Sequence, residues 1–345
     1  MNLINDDKQI CDYCKESDFV WLYEVKEYIF GVDYFNICKC AKCGLYQTYP
    51  RPSIDKLANY YPDVYSPYNL NTYISLFSPG KSMVAEVKNR IKRIYIKSYF
   101  NYYAETTQNK FARSALKILT WPVKIRTEWI FPEYKERGRV LDIGCSTGFY
   151  LSRLKELGWD TYGVETSKYA FNIASKHFNG NVRYGNLESA EFNADYFDAV
   201  TMWQVLEHVE SPLSTLLEVK RILKKGGVLI IGVPNVSTCE VSIFGKWWWA
   251  WEVPRHLNHF TPEVIRNCLE KTGLKLLKVE FSSNPNNIIM SVQRVLIDCF
   301  PKYQDGIKRF IDPDKNKYLW YLVFPMSFLL LVLGKSGRMI VYAKK

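Results

Sequence analysis

This sequence of 345 residues is most easily approached through what it has little of. It contains four histidines, so any imidazole chemistry must draw on His177, His208, His256 and His259. No apolar stretch ends in G-x-G-x-x-G, which excludes the usual dinucleotide fingerprint. No apolar run reaches the ~20 residues that a spanning helix needs. The run from Tyr318 to Leu333 has 16 residues, one polar member, Ser327, and Pro325 within it. It reads as a buried or interfacial hairpin of helices. Met1 to Ile10 is polar and does not resemble a secretory leader. The expectation is therefore a cytoplasmic chain whose nine cysteines are thiols or metal ligands rather than disulfides.

The most informative stretch is Val140-Leu141-Asp142-Ile143-Gly144-Cys145-Ser146-Thr147-Gly148. An apolar run ends in a turn of small residues, and Phe149 to Gly158 follows with helical spacing and a glycine stop. A strand, a tight loop and a helix in this order bring backbone close to a nucleotide-like ligand. The glycines are spaced G-x-x-x-G, and Asp142 would repel a pyrophosphate. A cationic ligand suits the loop, and S-adenosylmethionine carries a sulfonium and an ammonium without any phosphate. Glu165 ends the next apolar run, 21 residues after Gly144, where a carboxylate can accept both ribose hydroxyls.

The pattern continues along the chain. Phe197 to Trp203 is a third strand, followed by Gln204-Val205-Leu206-Glu207-His208-Val209. Ser211-Pro212 opens a helix that Gly226-Gly227 should end, and Val228 to Asn235 is another buried strand. Alternating strands and helices predict a mostly parallel sheet.

Residues 138–235 resemble a class I S-adenosylmethionine-dependent methyltransferase, most closely the relatives of ubiquinone-type and sugar methyltransferases. The resemblance rests on Leu141-Asp142-Ile143-Gly144-Cys145, Val205-Leu206-Glu207-His208-Val209, Arg221-Ile222-Leu223-Lys224-Lys225-Gly226-Gly227 and Val233-Pro234-Asn235. It implies an α/β, Rossmann-like sheet of seven strands, the last antiparallel. The cofactor-binding candidates are Asp142, Gly144, Cys145, Ser146, Gly148, Glu165, Asn186, Leu187 and Trp203. Ser146 stands where the family usually has glycine, and it keeps a tight loop if its torsions are ordinary. Gln204 stands where ubiquinone-type relatives often have an acid, within a group associated with a divalent metal, which weakens the case for a catalytic metal.

Cys11-Asp12-Tyr13-Cys14 and Cys40-Ala41-Lys42-Cys43 form two matched C-x2-C pairs. Each pair holds one side of a tetrahedral ion, and two pairs close a structural zinc site with no open position. Cys38 is a weaker candidate than Cys40, which has the two-residue spacing to Cys43. The segment from Cys40 to Pro52 resembles the zinc-ribbon start of many polysaccharide-cluster methyltransferases.

The net charge of +11 is unevenly placed. Residues 81–137 hold 13 Lys or Arg against 5 Asp or Glu, a local +8 that argues for an anionic partner. Val84, Val87, Ile91, Ile94, Tyr95 and Tyr99 line one helix face, with Lys88, Lys92, Arg93 and Lys97 elsewhere. Ala115, Leu116, Ile118, Leu119, Trp121 and Ile125 mix with Lys117, Lys124 and Arg126. Such helices suit a membrane interface, or a helical cap with a solvated basic face. Nucleic acid is a weaker partner, because no reader module accompanies the charge.

The segment Trp247-Trp248-Trp249-Ala250-Trp251-Glu252-Val253-Pro254-Arg255-His256-Leu257-Asn258-His259-Phe260 is dense with chemistry. Its tryptophans could stack on sugar rings, meet lipid or pack against the sheet, and packing should claim at least one. His256 or His259 is the expected general base, with His208 as competitor and Glu207 beside it. Pro254 to Phe260 resembles part of the acceptor pocket of the same family.

These readings divide the chain into a zinc-ribbon module (1–60), a basic aromatic helical segment (61–137), a cofactor-binding core (138–283) and an apolar helical segment with the last strand (284–345). The expected function is O-methylation of a sugar in a nucleotide- or lipid-linked glycan, on the inner membrane face. The alternatives are a ubiquinone-like phenol O-methyltransferase and a non-catalytic zinc-ribbon adaptor.

Overall fold

The computed structural model describes residues 10–30, 33–61, 75–77, 82–102, 110–126, 130–178 and 180–345. Most of the polar N-terminal stretch, the basic residue Lys81 and the side chain of Ile125 lie outside the described residues. In chain order the elements are β1 (Phe19–Lys26), β2 (Tyr34–Cys40), β3 (Tyr46–Tyr49), α1 (Ile54–Leu57), α2 (Met83–Phe100), α3 (Lys110–Arg126), β4 (Arg139–Ile143) and α4 (Phe149–Glu156). Then come β5 (Asp160–Glu165), α5 (Lys168–His177), β6 (Val182–Tyr184), β7 (Phe197–Trp203), α6 (Pro212–Ile222), β8 (Leu223–Pro234) and α7 (Cys239–Phe244). The chain closes with β9 (Asn258–His259), α8 (Pro262–Thr272), β10 (Lys275–Phe281), α9 (Pro285–Cys299), α10 (Gln304–Phe310), α11 (Lys317–Val332) and β11 (Arg338–Lys344).

A seven-stranded sheet runs in the order β10-β11-β8-β7-β4-β5-β6. β4 pairs in parallel with β5 and β7, and β5 with β6. Reciprocal bonds between Gly226 N and Lys345 O and between Lys345 N and Gly227 O, both 3.1 Å, make β11 antiparallel to β8. Strands buried on both faces read as continuous apolar runs. β7, whose residues are buried from Phe197 to Met202, is such a run.

The chain forms two compact units, and β7 and β8 run through both. One unit comprises Met1–Asp63, Trp203–Leu217 and Ile231–Ala343. It holds a second sheet, ordered β1-β2-β3-β9, all antiparallel. Val25, Phe35 and Ile37 of that sheet share a core with Trp248, Trp251, Ile288 and Leu330. The cysteine-bearing ribbon is therefore packed into this unit rather than strung before it.

The other unit comprises Val64–Met202, Glu218–Ile230 and Lys344–Lys345. Ser167 caps α5 by accepting from Ala170 N at 3.3 Å. In α2, Tyr95 and Ile96 are buried, whereas Val84, Val87 and Ile91 are exposed. The apolar face expected to pack is thus split along the helix.

Two expectations are corrected. Gly226-Gly227 does not end α6, which stops at Ile222; the glycines lie inside β8, where Gly226 has φ +80°. Glycine inside a strand marks an irregular position as readily as a helix stop. The apolar run from Tyr318 forms one helix, α11, with Pro325 within it, rather than a hairpin of helices.

Candidate active site and cysteine cluster

The strand-loop-helix predicted around Gly144 is present in the second unit. Gly144 N and Cys145 N donate to Val164 O at 2.8 and 3.1 Å, folding the loop back over the end of β5. Gly148 N-caps α4 with φ +86°, and an added Cβ would stand 2.5 Å from the Phe178 ring. Ser146 has φ +51°. Its torsions are not ordinary, and an L-residue in the left-handed region costs about 1 kcal/mol. The bond from Ser146 N to Glu165 Oε2, 2.8 Å, offsets that strain.

Glu165 also accepts from Ser167 N at 2.6 Å, so one carboxylate fastens the loops after β4 and β5. Burial raises its pKa, and the backbone bonds work against the rise. Asp142 is buried at the end of β4, where Thr201 Oγ1 donates to it at 2.6 Å. Burial pushes the Asp142 carboxyl up to about 7, beside a second acid at Glu165. Neither carboxylate has an ion-pair partner among the described residues. Two buried carboxylates at the ends of adjacent parallel strands suit a cationic ligand, and the donor set fits S-adenosylmethionine. Cys145 and Leu187 are buried, and Asn186 is spent in capping the turn at Ser189, whose N–H it accepts at 2.8 Å. Trp203 belongs to the first unit, where its ring covers Gly232.

The first unit gathers three of the four histidines. The His208 and His256 ring centroids are 4.6 Å apart, and those of His256 and His259 are 6.2 Å apart. His256 Nδ1 lies 2.9 Å from Ala250 O and therefore carries the proton; its Nε2 is 3.4 Å from Glu252. Thr48 Oγ1 donates to His256 O at 2.6 Å and so accepts from His259 Nε2 at 3.1 Å. Both rings are buried, and burial lowers both pKa values. His208 keeps a small exposed edge, whereas the other two rings are fully enclosed. Its Nδ1 donates to Arg255 O at 2.9 Å and lies 3.2 Å from the Tyr61 hydroxyl, leaving the Nε2 lone pair for an incoming proton. Burial, with His256 beside it, holds His208 down at about 3, so the ring is neutral at physiological pH.

Charged groups that sequence reasoning passed over surround these rings. Buried Arg255 pairs with Glu27 at 3.4 Å and Glu252 at 3.1 Å and donates to Tyr60 O. Burial works to raise the Glu252 carboxyl, but His256 and Arg255 overcome it and hold it at about 2. Arg255 sits in the same string as the histidines, which was the available signal. Glu207 is fully buried, its carboxylate oxygens have no partner among the described residues, and burial raises it to about 8. Ligand-capable atoms of Glu207, His208 and His256 lie within 4.8 Å of one another. Gln204 turns away onto the backbone, donating to Gly232 O at 3.0 Å.

The same unit holds Cys11, Cys14, Cys40 and Cys43, whose sulfurs lie within 4.8 Å of one another. The Cys11–Cys43 and Cys14–Cys40 pairs are each 3.4 Å apart, and all nine cysteines are free of disulfides. Zn–S bonds of about 2.3 Å in a tetrahedron place sulfurs about 3.8 Å apart, so the cluster is compatible with a structural zinc. The two knuckles are built alike. Lys15 N donates to Cys11 O and Gly44 N to Cys40 O, and both residues are left-handed, with φ +62° and +75°. Cys38 points elsewhere, to Gln47 O.

This sheet order and loop chemistry define the class I methyltransferase fold. Residues 122–279 match the family described as "Methyltransferase domain", and this part of the chain is a class I S-adenosylmethionine-dependent methyltransferase domain. Among similar proteins is the ubiquinone biosynthesis O-methyltransferase of Maricaulis maris (strain MCS10), 31% identical over 160 residues, 43% of this chain and 63% of that protein. The mitochondrial ubiquinone biosynthesis O-methyltransferase of Schizosaccharomyces pombe (strain 972 / ATCC 24843) is 27% identical over 176 residues, 47% of this chain and 62% of that protein. The chain thus spans less than two thirds of the curated relatives it matches. A solved S-adenosylmethionine-dependent methyltransferase from Archaeoglobus fulgidus is 19% identical, covers 72% of this chain and 100% of its own, and superposes with a TM-score of 0.40. Among the described residues, no helix is long and apolar enough to cross a membrane.

Proposed function

We propose that the protein transfers the methyl group of S-adenosylmethionine to a hydroxyl of a sugar in a nucleotide- or lipid-linked glycan. The observation that carries the methyl-donor assignment is the pair of buried carboxylates Asp142 and Glu165, which have no ion-pair partner among the described residues. When bound, the cofactor supplies a methyl already activated by its sulfonium. Asp142 and Glu165 hold the cationic and ribose parts, and the Gly144–Gly148 backbone admits them closely. The acceptor proton goes to His208 Nε2. Its weak basicity makes that transfer late, as the new C–O bond forms, and most of the catalysis is positioning.

A glycan acceptor is supported by a surface cavity of about 470 Å³ lined by Tyr28, Tyr34, Trp247, Lys26, Lys246 and Asp298; His208 is not in its lining, so in this reading it holds a sugar unit other than the methylated one. Asp298 accepts from both the Tyr28 hydroxyl, 2.9 Å, and Trp247 Nε1, 2.8 Å, and so fixes two aromatic rings beside polar groups. Rings with polar neighbours suit saccharides. Packing claims Trp248 and Trp251, both fully buried, and leaves Trp247 half-exposed.

In this reading the enzyme works at an anionic membrane surface. The basic helices α2 and α3 support it by exposing Val84, Val87, Ile118, Leu119 and Trp121 among their lysines and arginines. The likeness to ubiquinone biosynthesis O-methyltransferases favours a second reading, a phenolic acceptor. Incubation with radiolabelled S-adenosylmethionine and extracts fractionated into nucleotide sugars, lipid-linked glycans and quinone precursors separates the two. Label in a phenol alone removes the sugar reading; no label in any fraction, with cofactor bound, leaves the adaptor.

A further inference from the structure

α11 keeps one apolar face for its own unit and leaves the opposite one uncovered. Val323 and Leu330 join the core around Ile288 and Trp248, and Ser327 bonds Ser283 at 2.7 Å between them. On the far side of the helix stand Tyr318, Tyr321, Leu322, Leu329 and Val332, all exposed. Tyr318 is 85% and Leu322 77% exposed. Just before the helix, Tyr303 and Phe310 are 70% and 72% exposed. Scattered surface apolar side chains need no explanation, but an uninterrupted apolar face along one helix marks an interaction surface.

The charges around the patch choose its occupant. After Lys317, α11 carries no acid and no base through Val332. Exposed Lys317 and Lys335 therefore stand at its two ends. Over residues 302–317 five cations, Lys302, Lys308, Arg309, Lys315 and Lys317, face three acids, Asp305, Asp312 and Asp314. Lys315 is neutralised by Asp312 at 3.0 Å. A second copy of the chain packed on this face would set lysine against lysine: antiparallel helices bring Lys317 to Lys335, and parallel ones bring each to itself. Anionic headgroups meet the same lysines favourably, and apolar side chains between them enter the acyl boundary. The 16-residue helix is about 24 Å long, too short to span the ~30 Å hydrocarbon core, but suited to lying in its surface.

We infer that the outer face of α11, with Tyr303 and Phe310, docks on an anionic lipid bilayer. This rests on the proposed membrane-surface function and adds a contact that α2 and α3 do not supply. The test is flotation of the full chain with vesicles of phosphatidylglycerol and phosphatidylcholine in equal parts, and with phosphatidylcholine alone. Leu322→Glu combined with Leu329→Glu should lower partition onto the mixed vesicles by about tenfold or more, the loss expected from two exposed leucines. Cofactor binding and thermal melting should stay unchanged, because both positions face solvent. Lys317→Glu with Lys335→Glu should weaken the preference for anionic vesicles and leave the share contributed by α2 and α3. Undiminished partition of the leucine variant, with wild type bound, overturns the inference and leaves the α2 and α3 reading standing. No partition of wild type overturns both membrane readings, whereas methyl transfer to a soluble acceptor remains measurable. A wild-type dimer in light scattering that the leucine variant dissolves gives the face to a second copy instead.

Discussion

Thr48 holds the two buried histidines at once, donating to the His256 carbonyl at 2.6 Å and accepting from His259 Nε2 at 3.1 Å. The strand that carries Thr48 begins three residues after Cys43, so the cysteine ribbon and the histidine segment are parts of one structure. β9 completes the union by pairing Tyr46 with His259 and Gln47 with Asn258. Arg51 adds a bond to Asn258 at 2.8 Å. The ribbon thus braces the segment from which Arg255 fixes the His208 ring.

That bracing makes metal removal informative. Protein purified without chelators should contain one zinc ion per chain, held by four thiolates. Elemental analysis of Cys40→Ser should find it lost, and of Cys38→Ser should find it kept, since Cys38 bonds Gln47 O instead. Loss of metal should also lower the melting temperature of the unit that contains His208. Metal-free wild-type protein would remove the site.

The histidines divide into one candidate base and two braces. His208→Ala should lower turnover by about 10²–10⁴-fold while cofactor affinity stays near wild type. His259→Ala should chiefly lower thermal stability, because it removes the partner of Thr48. Since His208 is held at about 3, the rate should show no acid limb near ~6.5, the unperturbed histidine value. A limb near 6.5 that disappears in a histidine variant would mean that the ring is less buried during turnover. If His208→Ala, His256→Ala and His259→Ala all keep near-normal turnover, the acceptor oxygen needs no base from this set.

Much of this was legible in the sequence where the signal is local. The β4 run, the loop glycines, Glu165 and both C-x2-C pairs depend on residues within a few positions of one another. What escaped depends on distant partners. β9 has two residues, too few for any period, and exists because β3 pairs with it. Arg255 reads as one more surface cation until Glu27, which lies 228 positions away, is seen beside it. Gly226 has the same identity in a helix stop and in a strand irregularity, and only the pairing with β11 distinguishes them.

Cofactor affinity should depend on pH in a direction set by Asp142. Its pKa is raised to about 7, so acidification through that value protonates it and removes its attraction for a cation. Calorimetry with S-adenosylhomocysteine and S-adenosylmethionine should show affinity falling as the pH drops from about 8 to about 6, by at most tenfold per unit for one proton. Ligand-free protein should behave in the opposite way. A carboxyl with a raised folded-state pKa contributes stability that is fully present below ~4 and lost as the pH rises through about 7. Asp142→Asn should flatten both curves. Glu165→Ala should weaken binding by roughly 1–3 kcal/mol and also free Ser146 N and Ser167 N. Affinity that improves on acidification would contradict the cationic-ligand assignment.

Two of the three left-handed positions of the cofactor loop, Gly148 and Ser146, should respond differently. Gly148 has φ +86° and no room: an added Cβ would meet Phe178 Cε2 at 2.5 Å, and that ring is buried. Gly148→Ala should therefore cost about 2 kcal/mol or more of stability and weaken cofactor binding together, because the α4 N-terminus must shift. Ser146 has φ +51° and already bears the strain of a side chain. Ser146→Gly relieves about 1 kcal/mol in the folded state but loses roughly 0.5–1 kcal/mol to the freer unfolded chain. The net change in melting should be small, and cofactor affinity should be retained because the Ser146 N–H to Glu165 bond is made by backbone. Chemical denaturation of the two variants beside wild type checks both outcomes. A strongly destabilised Ser146→Gly would mean that the serine hydroxyl, and not the backbone alone, holds the loop.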